Sequence, residues 1–145
     1  MSNELIFITG ATGFIGSATA VEALKAGYRL RVCLRRPSEQ LQTLLSDYSD
    51  KVEFVIIPDI TDEAAFDGKL NGVDYVLHLA SPLAQGTDKQ SYFAPARKGT
   101  TAILKAAAKV PTVKKVVVTS SIAALIPMSG IPPGGGGKGN LYPAF

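Results

Sequence analysis

The chain has 145 residues, of which 46% are hydrophobic and 19% are charged, and its formal net charge is +3. This composition is typical of one folded domain and argues against a disordered or fibrous protein. Basic residues are scattered along the chain and interleave with acidic ones, which argues against a nucleic-acid partner. With no apolar run of membrane-spanning length, no signal-peptide pattern and only one cysteine, Cys33, we expect a cytoplasmic protein.

The first predicted element is a short apolar strand at residues 6–9, which leads directly into three glycines. Gly10, Gly13 and Gly16 are spaced three residues apart, and a helical pattern covers residues 14–26. A pyrophosphate needs unpaired backbone N–H groups at a helix N-terminus, and glycines let the chain turn sharply and approach it closely. The pattern therefore predicts a dinucleotide-binding strand, turn and helix, with a generic glycine turn as the alternative.

The rest of the chain alternates strands with helices. Apolar runs and capping signals predict strands at 28–34, 52–57, 75–79 and 115–119, and helices at about 37–48, 61–68 and 89–109, with Gly27 ending the first helix. Because the strands are apolar on both faces, we predict an α/β fold of the Rossmann type, with a doubly wound parallel sheet of five strands in the order 3-2-1-4-5. The pattern is truncated after strand five, whose exposed edge would favour self-association.

Beyond residue 126 the composition changes. Residues 127–145 hold four of the nine prolines, and residues 130–145 hold six of the fourteen glycines. Such a segment gains little by ordering, so we expect a domain at residues 1–126 and a Gly/Pro-rich loop or disordered tail at residues 127–145. The glycine run lacks the first glycine and the Ser or Thr that a P-loop requires.

Several motifs, in order along the chain, resemble one family. Thr-Gly-Ala-Thr-Gly-Phe-Ile-Gly at residues 9–16 is similar to the glycine turn of the extended short-chain dehydrogenase/reductase superfamily, the NAD-dependent epimerase/dehydratase family. The further stretches that resemble it are Asp59-Ile60, residues 72–82, Pro95-Ala96 with Gly99-Thr100, and residues 118–121. Together they look most like the dihydroflavonol reductase, cinnamoyl-CoA reductase and ketone or aldehyde reductase group.

The resemblance implies a nicotinamide dinucleotide and a role for individual residues. The glycine turn would hold the pyrophosphate, Asp59 and Ile60 would contact the adenine, and the end of strand four would border the nicotinamide ribose. The expected cofactor contacts are Gly10, Thr12, Gly13, Phe14, Ile15, Gly16, Arg35, Arg36, Asp59, Ile60, Leu79, Ala80 and Ser81. For Asp59 the alternative is a turn-forming or helix-capping residue.

Arg35 and Arg36 end strand two, where a carboxylate would accept hydrogen bonds from the ribose 2′-OH of NAD. An arginine instead suits the 2′-phosphate of NADP, because a guanidinium binds phosphate oxygens in bidentate fashion. We therefore expect NADP(H) to be preferred, with NAD(H) possible. The alternative is that both arginines are solvated charges at a strand end.

Three further residues invite a catalytic interpretation. Ser121 follows strand five, and its hydroxyl would donate a hydrogen bond to a substrate carbonyl, unless it only satisfies backbone groups at the strand end. His78 lies in an apolar strand, which favours a hydrogen-bonded structural histidine over a general base. Cys33 is better explained as a small core residue than as a nucleophile, and no Cys or His cluster indicates a metal site.

One part of the resembled family's chemistry is missing. None of the five tyrosines is followed by a lysine four residues later, so the Tyr-x-x-x-Lys pair that supplies the proton is absent. We expect little or no reductase activity from this chain alone. Three hypotheses remain: the NADP(H)-binding half of an oxidoreductase that reduces a small ketone or aldehyde, a non-catalytic NAD(P)-binding module or sensor, and a fragment of an epimerase or dehydratase.

Overall fold

The computed structural model describes residues 3–81 and 89–121. Strands and helices alternate within these residues, as the sequence predicts. In chain order they are β1 (Leu5–Thr9), α1 (Phe14–Lys25), β2 (Arg29–Leu34), α2 (Glu39–Leu44), β3 (Val52–Ile56), β4 (Tyr75–His78), α3 (Lys89–Ala108) and β5 (Lys115–Val118). The predicted tail at residues 127–145 lies outside the described residues.

The five strands form one sheet in the order β3-β2-β1-β4-β5, and every neighbouring pair is parallel. The predicted fold class and strand order are therefore confirmed. The chain moves outward from β1 in one direction through β2 and β3, and in the other through β4 and β5. The carboxyl ends of β1 and β4 consequently border a crevice, which is where open parallel sheets bind ligands.

Both faces of the sheet carry helices because successive side chains of each buried strand point to opposite sides. On one side, Phe7 and Val76 pack with Phe66 and with Ile103 of α3. On the other side, the strands pack against α1 and α2, and this cluster contains Ile6, Ile8, Ala20, Leu24, Leu30, Val32, Leu41 and Leu45. Full burial of one such side chain contributes about 1.5–3 kcal/mol, so these two layers dominate the stability of the fold.

Local signals explain where α1 begins and ends. Gly16, Ala20 and Leu24 are buried at four-residue spacing, which places one face of the helix on the sheet. Gly27, at φ +94°, follows the helix in the left-handed conformation and donates its N–H to the carbonyl of Leu24. The predicted ending of α1 is therefore close to the observed one.

Two of the predicted helices are shorter in the structure. The segment predicted as a helix at 37–48 contains α2, capped by the Ser38 hydroxyl, and then a separate 3-10 turn at Ser46–Tyr48. The segment predicted at 61–68 contains only a 3-10 turn at Glu63–Phe66, in which Asp62 accepts a hydrogen bond from the Ala64 N–H. Both segments contain residues that favour local side-chain hydrogen bonds, which compete with a regular helix.

An apolar groove lies beside α1, over β4 and β5. Its volume is about 670 Å³, and its lining includes Phe14, Ile15, Leu77 and Val117. Phe14 is 95% exposed, and Val117 is 50% exposed on β5, which pairs only with β4 within the described residues. This side of the sheet is therefore less covered at β5 than at β1. No described helix has both the length and the apolar character to cross a membrane.

Candidate dinucleotide-binding site

A cavity of about 1030 Å³ opens at the carboxyl end of the sheet. It lies between the turn that follows β1 and the segments that follow β2, β3 and β4. Seven of the predicted cofactor contacts line it: Gly10, Thr12, Arg35, Arg36, Asp59, Ile60 and Ala80. The structure thus brings together residues that are as far apart as 70 positions in the sequence.

Two of the three glycines of the motif, Gly10 and Gly16, are required by contacts within the protein. Gly10 has φ +79°, and a Cβ atom there would lie 2.6 Å from the backbone nitrogen of Ala80. A Cβ on Gly16 would overlap the carbonyl oxygen of Gly10. A side chain at either position would therefore separate α1 or β4 from the turn.

Gly13 is different. It precedes α1 as its N-cap, donates its N–H to the carbonyl of Gly10 at 3.0 Å, and has no positive φ. The nearest atom to a Cβ built on Gly13 is 3.4 Å away, so the surrounding protein tolerates a methyl group there. A glycine at this exposed position instead leaves room for a ligand to approach the start of the helix.

Within the described part of the chain, no side chain supplies a counter-charge at the start of α1. None of these side chains caps the helix by a hydrogen bond, and its first turn contains no acidic residue. The first backbone N–H groups of a helix have no partner within the helix and carry partial positive charge. This end of α1 is therefore suited to an anion such as a pyrophosphate.

Six predicted contacts do not line the cavity. The side chains of Phe14 and Ile15 are largely exposed and line the apolar groove instead, so only their backbone groups belong to the helix start. Gly13 precedes α1, Gly16 lies in the first turn of α1, and Leu79 and Ser81 flank Ala80 after β4.

The two arginines extend from the end of β2 and are exposed. Within residues 3–81 and 89–121, neither Arg35 nor Arg36 forms an ion pair or hydrogen bond through its side chain. Asp59, after β3, accepts a hydrogen bond from the Thr61 N–H at 2.8 Å. That hydrogen bond is the main cause of its lowered pKa, with smaller contributions from the charges of Arg35 and Lys98. One carboxylate oxygen of Asp59 is thus already used in a local turn.

Cys33 and His78 lie on either side of Thr9 in the sheet register. Burial raises the pKa of Cys33 to about 12, which disfavours the reactive thiolate, and the residue belongs to the core as predicted. The His78 ring is 2% exposed and lies 2.8 Å from the Thr9 hydroxyl through Nδ1, while burial lowers its pKa. His78 is therefore the hydrogen-bonded structural histidine that the sequence favours.

Ser121, the predicted substrate-binding residue, is exposed three residues beyond β5 and does not line the cavity. The cavity also contains residues that were not among the predicted contacts, including Ser38, Thr61 and Pro95. Ser38 could have been predicted, because it follows Arg36 by two residues and lies at the start of a predicted helix. In the described part of the chain, no group of His, Cys, Asp or Glu side chains is arranged to hold a metal ion.

A parallel sheet of this order, with a glycine turn at the start of the first helix, defines a Rossmann-type dinucleotide-binding domain. A family model described as the NAD dependent epimerase/dehydratase family matches residues 6–138. The chain therefore belongs to this family.

Curated relatives include reductases from fungi. Ketoreductase sphI of Aspergillus fumigatus is 65% identical over 135 residues, which cover 93% of this chain and 40% of the relative. Aldehyde reductase 2 of Sporidiobolus salmonicolor is 34% identical over 128 residues, which cover 86% of this chain and 37% of the relative. The chain thus spans about 40% of the length of the curated relatives that it matches.

Two of the solved structures with a similar fold were determined in complex with NADPH. Yeast methylglyoxal/isovaleraldehyde reductase Gre2, solved in complex with NADPH, aligns with a TM-score of 0.73 and 31% identity, over 86% of this chain and 39% of its own. Gre2 from Candida albicans, also in complex with NADPH, aligns with a TM-score of 0.75 and 29% identity, over 87% of this chain and 39% of its own.

Proposed function

We propose that this chain is the NADP(H)-binding portion of an oxidoreductase that reduces a small ketone or aldehyde, with the binding domain at residues 1–126. The observation that carries the proposal is the cavity beside the glycine turn, in which Arg35 and Arg36 present two cations without a hydrogen-bond or ion-pair partner among the described residues. The names of the relatives support the reductase class, and the NADPH complexes of the similar structures support the cofactor.

The residues around the cavity suit each part of NADPH. The uncapped start of α1, with the backbone of Gly13, Phe14 and Ile15, suits the pyrophosphate. The guanidinium groups of Arg35 and Arg36 suit the ribose 2′-phosphate. The further proposed contacts are Asp59 and Ile60 to the adenine, and the backbone of Leu79, Ala80 and Ser81 to the nicotinamide ribose. When bound, the cofactor supplies a hydride.

The proton that completes a carbonyl reduction has no donor of the family's type in this sequence. Ser121 is the proposed hydrogen-bond donor to the substrate carbonyl, but no tyrosine is followed by lysine at the fourth position. Reduction of a carbonyl needs a general acid matched to the developing alkoxide. We therefore propose that this chain binds the cofactor without turning it over.

Titration of NADPH fluorescence with the purified chain tests the proposal, and the absence of saturable binding would refute it. Arg35→Glu tests the source of selectivity: we expect the NADPH to NADH affinity ratio to fall about tenfold or more, because the carboxylate repels the 2′-phosphate. Arg29→Glu is the matched control, since Arg29 is exposed at the opposite end of β2. An unchanged ratio in Arg35→Glu would exclude Arg35 as the phosphate ligand.

A non-catalytic NAD(P)-binding module or sensor is the second candidate, since the cavity beside the glycine turn suits cofactor binding in either case. The coding sequence after Phe145 separates the two candidates. An in-frame Tyr-x-x-x-Lys motif would support the reductase, whereas a stop codon in the mature transcript would support the module. An epimerase or dehydratase parent would instead be revealed by activity on substrates of those classes.

We also propose that the chain self-associates through the edge of β5. Val117 and Val118 are 50% and 39% exposed there, and unpaired strand edges with apolar side chains favour pairing with another chain. Val117→Lys should shift the chain from dimer to monomer in sedimentation velocity while leaving NADPH affinity unchanged. A wild-type chain that sediments as a monomer at every concentration measured would refute this.

For location, we propose the cytoplasm. The single cysteine is buried and free, as suits a reducing compartment. Fractionation of cells that express a tagged full-length chain tests this proposal, and recovery in a secreted fraction would refute it.

A further inference from the structure

The ends of β1 and β4 are joined by three hydrogen bonds at Thr9. The Thr9 carbonyl accepts the N–H of Leu79 at 3.2 Å, and the Thr9 hydroxyl accepts the N–H of Ala80 at 3.2 Å. The same hydroxyl lies 2.8 Å from Nδ1 of His78. Thr9 and His78 are buried, with 1% and 2% of their surfaces exposed, whereas Leu79 and Ala80 are half-buried.

These contacts favour one arrangement of protons. The backbone N–H of Ala80 can only donate, so the Thr9 oxygen accepts that hydrogen bond. The hydroxyl keeps its own proton to donate, and Nδ1 of His78 lies within hydrogen-bond distance of it, so we assign Nδ1 as the acceptor. An imidazole that accepts through Nδ1 is neutral and carries its proton on Nε2. Burial of the ring also favours the neutral form, in agreement with this assignment.

The hydrogen bonds hold together two walls of the cavity. Gly10 directly follows Thr9, and a Cβ on Gly10 would lie 2.6 Å from the nitrogen of Ala80 and 2.7 Å from the carbonyl carbon of Leu79. Gly10 and Ala80 both line the cavity. A small separation of β1 from the segment after β4 would therefore displace both walls.

We propose that Thr9 and His78 are positioning residues: the hydroxyl, oriented by neutral His78, holds the glycine turn against the end of β4 and so sets the shape of the cofactor cavity. The effect on binding rests on the proposed NADP(H) function. The hydrogen-bond geometry and the tautomer do not, and they are measurable without a cofactor.

Thr9→Val tests the proposal, because it keeps the shape of the side chain but removes the hydroxyl. We expect it to weaken NADPH binding about tenfold, since the Ala80 N–H and His78 Nδ1 both lose their partner. Thr9→Ser, which restores the hydroxyl, should bind within about twofold of wild type. A folded Thr9→Val chain with wild-type affinity would overturn the proposal.

His78 is the only histidine, so ¹⁵N NMR of the imidazole reports its tautomer without assignment ambiguity. We expect the Nε2–H form in the wild-type chain and in Thr9→Ser, and loss of that single form in Thr9→Val. A wild-type Nδ1–H tautomer would overturn the proposal. Should Thr9→Val fail to fold, His78→Phe removes only the acceptor, and wild-type affinity in that variant would overturn the proposal as well.

The two proposals fail in different ways. If the wild-type chain does not bind NADPH, the proposed function fails, and hydrogen exchange at the Ala80 amide then tests the positioning pair alone. Faster exchange in Thr9→Val than in Thr9→Ser supports the pair, whereas equal exchange overturns it.

Discussion

The charged and polar groups at the two ends of the parallel sheet differ in whether they have hydrogen-bond or ion-pair partners within the protein. At the amino end, Lys114 contacts Glu4 at 2.8 Å and Asp74 at 2.9 Å. Asp74 also accepts the N–H of Leu5 at 2.9 Å, and the Tyr75 hydroxyl donates to Glu4 at 2.9 Å. Each of these polar groups has a partner within the protein.

At the carboxyl end, the positively charged groups around the cavity lack such partners among the described residues. The start of α1 has no capping side chain, and Arg35 and Arg36 form neither ion pairs nor hydrogen bonds with described residues. Because both ends belong to the same five strands, strand geometry does not cause the difference. Paired charges at one end stabilise the fold, and unpaired groups around a cavity at the other are available to a ligand.

The largest expected effect is at the carboxyl end of the sheet. There, Gly16 is required by the packing of the protein, whereas the space around Gly13 accommodates a side chain. Gly→Ala within a helix normally stabilises by about 0.5–1 kcal/mol. For Gly16→Ala we expect the opposite, a loss of about 3 kcal/mol, because the new Cβ would overlap the Gly10 carbonyl. Urea unfolding followed by circular dichroism measures the change.

Gly13→Ala is the matched control for Gly16→Ala. The space around Gly13 accommodates a methyl group, so we expect stability within about 1 kcal/mol of wild type and NADPH binding that is at least about tenfold weaker. Equal losses of stability in the two variants would contradict the distinction between a structural and a ligand-facing glycine.

A smaller effect is expected at the amino end. Lys114 and the Leu5 N–H lower the pKa of Asp74 below its ordinary value of 3.8 by favouring the carboxylate. The folded state then binds fewer protons than the unfolded chain, so the stabilisation is present above pH 3.8 and is lost as the pH falls toward the lower folded-state pKa. Asp74→Asn should lower Tm by about 5 °C at pH 7 and flatten this acid dependence.

Asp50→Asn serves as the control for that variant, since Asp50 is exposed in a turn. NADPH affinity should be the same in both variants and in the wild-type chain. Weaker NADPH binding by folded Asp74→Asn than by folded Asp50→Asn would contradict the separate roles of the two ends of the sheet.

The smallest effect concerns Cys33, which lies under the cavity at the end of β2. Its raised pKa and its 5% exposure predict slow labelling by a thiol reagent at pH 8 in the native chain and rapid labelling in urea. NADPH at ten times its Kd should slow native labelling about tenfold, by stabilising the folded state. Rapid native labelling that NADPH does not affect would contradict the assigned position.

Local sequence patterns were sufficient for much of this protein. The alternation of apolar strands with helices predicted the sheet, and the right-handed crossover rule then predicted its order. The glycine spacing predicted the turn at Gly10, and the position of Arg35 and Arg36 after strand two marked them as predicted cofactor contacts, both of which line the cavity. These features depend on residues that are neighbours in the chain, so periodicity and turn chemistry encode them directly.

Other features depend on contacts between distant residues, and only the tertiary structure decided them. The Thr9–His78 hydrogen bond joins residues 69 positions apart, and the exposed side chains of Phe14 and Ile15 lie in the groove rather than the cavity. Neither is visible in a local pattern, because the same apolar or polar residue serves a core, a groove or a ligand site equally well. By itself, then, the sequence determined the sheet and the glycine turn, while the packing of strand ends against one another decided which groups line the cavity and which contact the turn.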